Sequence, residues 1–168
     1  MWNNIKAEVI GDLREMSKQT KISNLHITGI SLGGGLTVIS YIDINAAKIF
    51  PTIRVTTYGA PRVGNKNWAD HFDQLTNAKA KRYVVSGDPV AGMPTCLTLL
   101  CSYKQVGYKL TCYEDQQRCV RETEENTIVN DAKTLITAGM KAWNARDVKG
   151  IVDHIDGYPK IYNFTVVM

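Results

Sequence analysis

Gly29-Ile30-Ser31-Leu32-Gly33 constrains this chain more than any other stretch, because it joins a short apolar strand, Asn24–Thr28, to a small-residue helix that begins at Leu32. A serine on so sharp a strand-to-helix turn projects its Oγ away from the protein. The turn strains the backbone, and a Cβ at Gly29 or Gly33 is expected to collide with the adjoining strand or helix, which would explain the glycines two positions either side of Ser31. The run Leu25–Thr28 is short and apolar enough to be a buried strand, and Gly33-Gly34-Gly35 let the following helix lie close to the sheet. The free N–H groups and positive dipole end of that helix favour negative charge developing beside the serine. Acyl transfer through Ser31 is the chemistry this arrangement serves, with the backbone N–H of Leu32 as one oxyanion donor.

Strand and helix patterns alternate along the chain. Ile5, Val9, Leu13 and Met16 fall at helical spacing and predict one apolar face of a helix from about Asn3 to Gln19. The nucleophile helix runs from Leu32 to about Ile44, and Ile53–Tyr58 is a β-branched strand. A helix over about Asn67–Leu75 carries Trp68, Phe72 and Leu75 at helical spacing, as core residues; Lys81–Ser86 is the next strand. Beyond Asp88 a strand is expected within Ser102–Leu110, and the acidic run Glu122–Glu125 reads as a solvated face leading into a helix over about Thr127–Ala145. The alternation is that of β-α-β crossovers, and 168 residues without a linker or repeat suit a single domain, 1–168, built on a mostly parallel sheet.

A net charge of +4 is spread along the whole chain, so no basic stripe points to nucleic acid. No apolar run approaches the roughly 18 residues a membrane-spanning helix needs. Met1-Trp2-Asn3-Asn4-Ile5-Lys6 lacks the basic and apolar regions of a signal peptide, so a soluble protein is expected, its compartment left open. Cys96, Cys101, Cys112 and Cys119 share one window and allow two disulfides, a metal clip or reduced thiols; the absence of a C-x-x-C pair disfavours zinc.

Partners of a serine nucleophile in an α/β-hydrolase sheet belong on loops at the C-terminal strand ends, in the chain order Ser, Asp, His. Asp88 satisfies this, since it follows the strand Lys81–Ser86 between Gly87 and Pro89, whereas Asp70 and Asp73 sit in a helical pattern. Of the three histidines, His26 lies in the nucleophile strand and His71 in a helix before Asp88. Only His154 follows Asp88, in the turn-rich segment Val152–Tyr158. The candidate triad is therefore Ser31, Asp88 and His154, chemistry that needs neither metal nor organic cofactor.

Thr28-Gly29-Ile30-Ser31-Leu32-Gly33-Gly34-Gly35-Leu36 resembles the elbow of the class 3 lipases, the fungal triacylglycerol lipase-like family. Thr57-Tyr58-Gly59-Ala60-Pro61-Arg62-Val63-Gly64-Asn65 is similar to that family's next strand and loop. Gly87-Asp88-Pro89-Val90, with Met93-Pro94, resembles the segment carrying its catalytic aspartate, and Tyr103–Tyr108 resembles the strand after it. Ile30 and Gln105 stand where the family often has histidine. The resemblance implies an α/β-hydrolase fold with flanking helices and hydrolysis of lipid esters at a membrane or droplet surface.

It also implies strands, an oxyanion loop and a lid ahead of the nucleophile helix, and these are expected to be missing here. The nucleophile strand is then expected to have a bare edge, inviting self-association or a complementing N-terminal lipase segment. Loss of one oxyanion donor costs on the order of 10² to 10³ in turnover, so impaired catalysis is expected. The alternative is a non-catalytic remnant, or one part of a split lipase acting as an interaction subunit.

Overall fold

The computed structural model describes residues 1–94, 103–122, 157–161 and 165–167. Helix α1 (Trp2–Gln19) precedes strand β1 (Asn24–Ile30), helix α2 (Ser31–Ala46) and strand β2 (Thr52–Tyr58). A short strand β3 (Gly64–Asn65) leads into α3 (Lys66–Thr76) and β4 (Lys81–Val85), and a 3₁₀ turn covers Val90–Gly92. Then come β5 (Tyr103–Lys104), β6 (Tyr108–Tyr113), β7 (Arg118–Glu122), a helical turn over 157–160, and β8 (Thr165–Val167).

Six strands form the main sheet in the order β1-β2-β4-β6-β7-β8. The β1–β2, β2–β4 and β4–β6 pairs are parallel; β7 turns back antiparallel on β6, and β8 runs parallel to β7. This is the mostly parallel α/β sheet expected, with every loop from β1, β2 and β4 leaving at the same edge.

One face of the sheet is covered by α2 and α3. Val38 and Tyr41 of α2 and Ala69 and Phe72 of α3 pack with Val55, Ala80 and Val106. Phe72 is fully buried, with Tyr41 edge-on to its ring and Trp68 stacked on it. Burying a side chain of that size contributes about 2–3 kcal/mol. Leu75, expected in this core, is 38% exposed; it lies in the last turn of α3, two residues before the left-handed cap Asn77.

On the opposite face, Val85, Leu110, Cys112 and Cys119 meet Tyr158 and Ile161 from the helical turn. Cys112 and Cys119 face each other across β6 and β7 as a buried disulfide, which removes those two sulfurs as metal ligands or thiols. Cys96 and Cys101 lie outside the described residues.

Several local expectations change. The stripe of α1 turned toward the protein is Trp2, Lys6, Val9, Ile10 and Leu13, while Ile5 and Met16 are exposed. Polar anchoring sets this rotation: Trp2 Nε1 and Lys6 Nζ both donate to the Asp43 carboxylate on α2. Strand β1 alternates exposed and half-buried along its length, since it is the terminal strand of the described sheet and no described element covers its second face. The strand expected within Ser102–Leu110 is divided into β5 and β6 by Gly107, whose left-handed φ of 65° turns the chain. Glu122 is a strand residue paired with Lys109, so the acidic run begins inside β7. The helix expected over Thr127–Ala145 lies outside the described residues. Among the described residues no helix is long and apolar enough to cross a membrane.

Candidate active site

Three loops meet at the C-terminal edge of the sheet. The first is the β1–α2 junction, where the strand ends at Ile30 and the helix begins at Ser31 with no intervening residue. Ser31 has φ 53°, a left-handed conformation that non-glycine residues seldom adopt. The strained elbow expected from the sequence is thus present at the serine itself. Its neighbours Ile30 and Leu32 are 45% and 66% exposed, so the turn stands at the surface.

Gly29 is required by close approach, because a Cβ there would lie 2.3 Å from the Gly33 carbonyl oxygen and 2.6 Å from Thr37 Oγ1. Gly33 behaves differently: a Cβ at that position would meet nothing within 4 Å. Successive helix residues rotate by about 100°, so Gly33 points away from the sheet and the next residues carry the contact. At Gly34 a Cβ would come within 2.7 Å of the Ala60 Cβ, and at Gly35 within 3.0 Å of Val63 Cγ1. The helix therefore sits tightly on β1 and the β2 loop through Gly29, Gly34 and Gly35.

The second loop, Gly59 to Val63, leaves β2 with a left-handed Gly59. The third leaves β4 and carries Asp88, which is 7% exposed. Its own N–H donates to the Val85 carbonyl, closing a tight turn through the left-handed Gly87. Asp88 Oδ1 accepts the Val90 N–H at 2.8 Å. These two loops are joined: the Arg62 N–H donates to the Met93 carbonyl, Arg62 Nη1 to the Pro94 carbonyl, both at 2.7 Å.

Tyr158 was not singled out as a site residue by the sequence. Its hydroxyl donates to Asp88 Oδ2 and accepts the Val85 N–H at 3.3 Å. The ring lies over Gly59, where a Cβ would sit 2.6 Å from it, and edge-on to Tyr58. Burial first, and then the charge and hydrogen bond of Asp88, push the phenol far above its ordinary value, so it stays a neutral donor. Its position in Val152–Tyr158, four residues after His154, was the available signal.

A cleft of about 580 Å³ opens on the sheet face opposite α2 and α3, lined by Ile30, Tyr58, Tyr83, Tyr158, Pro159, Ile161 and Val166. Tyr58 and Tyr83, neighbours on β2 and β4, stack at 5.2 Å along its wall. Ile30 and Val166 come from opposite ends of the sheet, which therefore curls around the cleft.

The structure places Asp88 in the β4 loop and Ser31 on the elbow, while His154 lies outside the described residues. His26 is exposed on β1 and hydrogen-bonded to Thr56 Oγ1 at 2.8 Å; His71 is exposed on α3. Leu32 occupies the second position of α2, where backbone N–H groups have no intrahelical acceptor.

Comparison with known proteins agrees with this geometry. Residues 1–98 match the family described as "Lipase (class 3)". A secreted mono- and diacylglycerol lipase 2 of Gibberella zeae is 30% identical over 74 residues, which is 44% of this chain and 18% of that protein. Secreted mono- and diacylglycerol lipase A of Penicillium cyclopium is 28% identical over 93 residues, 55% of this chain and 30% of its own length. The chain thus spans less than a third of either relative. The crystal structure of a lipase from Rhizopus microsporus var. chinensis superposes with a TM-score of 0.59 at 22% identity, over 66% of this chain and 38% of that one. With a match over more than half its length, an α/β-hydrolase sheet and a strained serine at the strand-to-helix turn, the chain belongs to the class 3 lipases.

Proposed function

We propose that this chain carries out serine-dependent hydrolysis of lipid carboxylic esters. The observation that carries the reading is the left-handed φ of Ser31 at the β1–α2 junction, a strained conformation that places Oγ at the head of a helix. Ser31 Oγ attacks the ester carbonyl as His154 takes its proton, and the Leu32 N–H donates to the oxyanion. His154 then protonates the departing alcohol, and water repeats the sequence on the acyl-serine. Asp88 accepts from the imidazole and stabilises its charged form. His154 is four positions from Tyr158, which is fixed on Asp88; that length of chain reaches at most about 14 Å.

Lipid esters are the substrate class because the matched relatives include mono- and diacylglycerol lipases and phospholipases A1, and because Leu32 and Met93 present apolar side chains on the loops that carry Ser31 and Asp88. The substrate would then be met at a membrane or droplet surface. The buried Cys112–Cys119 disulfide supports an oxidising compartment, in keeping with the secreted relatives. An alkyl fluorophosphonate should label Ser31, and Ser31→Ala should abolish labelling; modification of another serine with Ser31 untouched would overturn the assignment.

The terminal position of β1 among the described strands favours one further reading. A strand supplied by an N-terminal lipase segment would extend the sheet there and bring the second oxyanion donor. Co-expression of such a segment from a related class 3 lipase should raise turnover by about 10²-fold. A chain already monomeric and fully active, gaining nothing from the complement, would exclude this.

A further inference from the structure

We propose that Tyr158 is a positioning residue for catalysis, holding the Asp88 carboxylate in its working orientation through a buried phenol hydrogen bond anchored on the Val85 backbone. The proposal rests on the reading of Asp88 as the acid of the triad.

Each part of the contact is geometrically fixed. Tyr158 is 5% exposed and Asp88 7%, so neither exchanges the bond for water without the helical turn lifting off. Asp88 Oδ1 is held by the Val90 N–H and Oδ2 by the Tyr158 hydroxyl, and a donor on both oxygens restrains rotation of the carboxylate. The phenol is oriented in turn, because its oxygen accepts the Val85 N–H and must therefore aim its one proton elsewhere, at Asp88. Val85 also accepts from the Asp88 N–H. The phenol, the Val85 peptide and the Asp88 loop thus close a ring of hydrogen bonds, and Gly59 leaves the space in which the ring lies. Each carboxylate oxygen has two lone-pair sites, so the Tyr158 hydrogen bond does not by itself exclude an imidazole N–H.

A hydrogen bond to a buried carboxylate is among the stronger ones, and losing the donor would free Asp88 to turn away from its partner. Tyr158→Phe removes only the oxygen. In the whole chain, with a p-nitrophenyl ester as probe, it should lower kcat by about 10- to 100-fold and leave KM within about twofold. Asp88→Asn alone should cost about 10⁴-fold. The double variant should be no slower than Asp88→Asn, because Tyr158 acts only through that carboxylate.

Independent, multiplying losses would show that Tyr158 serves the fold alone and overturn the proposal, as would full activity in Tyr158→Phe. Near-normal activity in Asp88→Asn would overturn the triad reading, and this proposal with it. Should Tyr158→Phe fail to fold, 3-fluorotyrosine at position 158 keeps the shape and sharpens the donor. A change in kcat of at least about twofold at constant KM is then expected, and an unchanged kcat refutes the role.

Discussion

Gln105 is joined to Ala60 by a 3.0 Å hydrogen bond from its side-chain nitrogen to the backbone carbonyl. The second proton of that nitrogen reaches the Ala91 carbonyl at 2.8 Å, so one amide ties the loop after β2 to the loop that carries Asp88. Histidine, frequent at this place in the family, could not offer two protons from a single nitrogen.

Replacing Gln105 by Leu should therefore separate the two loops. Two carbonyls would lose their donor, at a cost of about 2 kcal/mol in stability, and activity should fall further than stability alone explains. Chemical denaturation together with ester turnover checks this; Gln105→Leu with unchanged turnover would show that the cross-tie has no bearing on the site.

The elbow glycines should separate sharply. Gly29→Ala forces a Cβ into the Gly33 backbone and should leave little folded protein. Gly33→Ala enters open space on a helix and should be neutral or stabilising by up to about 1 kcal/mol. Thermal melts of both variants test the pair, and equal damage from the two would contradict the packing of α2.

Among the histidines, His154→Ala should cost about as much activity as Ser31→Ala, because triad members act as a unit. Exposed His71 and strand-borne His26 should be replaceable with the chemistry largely intact. A larger loss at His71 than at His154 would redirect the assignment of the base.

Acid should loosen α1 first. Hydrogen bonds from Lys6 and then Trp2 hold the Asp43 carboxyl below its ordinary value. A carboxylate whose folded value is depressed contributes stability that is complete above the unfolded value, near pH 4, and vanishes as pH falls through the folded one. The wild-type protein should thus lose more stability than Asp43→Ala between about pH 5 and pH 2. Parallel pH–stability curves for the two would show that this contact contributes nothing.

Strong local patterning made much of the architecture legible. The elbow, α2, β2, α3 and β4 follow from β-branched runs and helical spacing, and Asp88 from its place after a strand between Gly87 and Pro89. What escaped depended on contacts distant in sequence. The facing side of α1 is set by Asp43, 37 residues beyond Lys6, and the contact of Tyr158 with Asp88 is a bond spanning 70 positions. β7 and β8 are short and carry charged or exposed residues, so periodicity gives them no signature. Gly33 departs from expectation for a different reason: the motif specifies glycine on both sides of Ser31, while the rotation of the helix decides which following glycine touches the sheet.

With Ser31 as the proposed nucleophile, its left-handed backbone sets chemistry and durability against each other at a single codon. Glycine adopts that conformation without penalty, whereas serine pays about 1 kcal/mol or more to hold it. Ser31→Gly should therefore melt higher than the native protein while losing all acyl transfer. Any lineage of this chain released from catalytic demand would have a one-step route to a more robust and inert protein, and position 31 is where such a release would first be written.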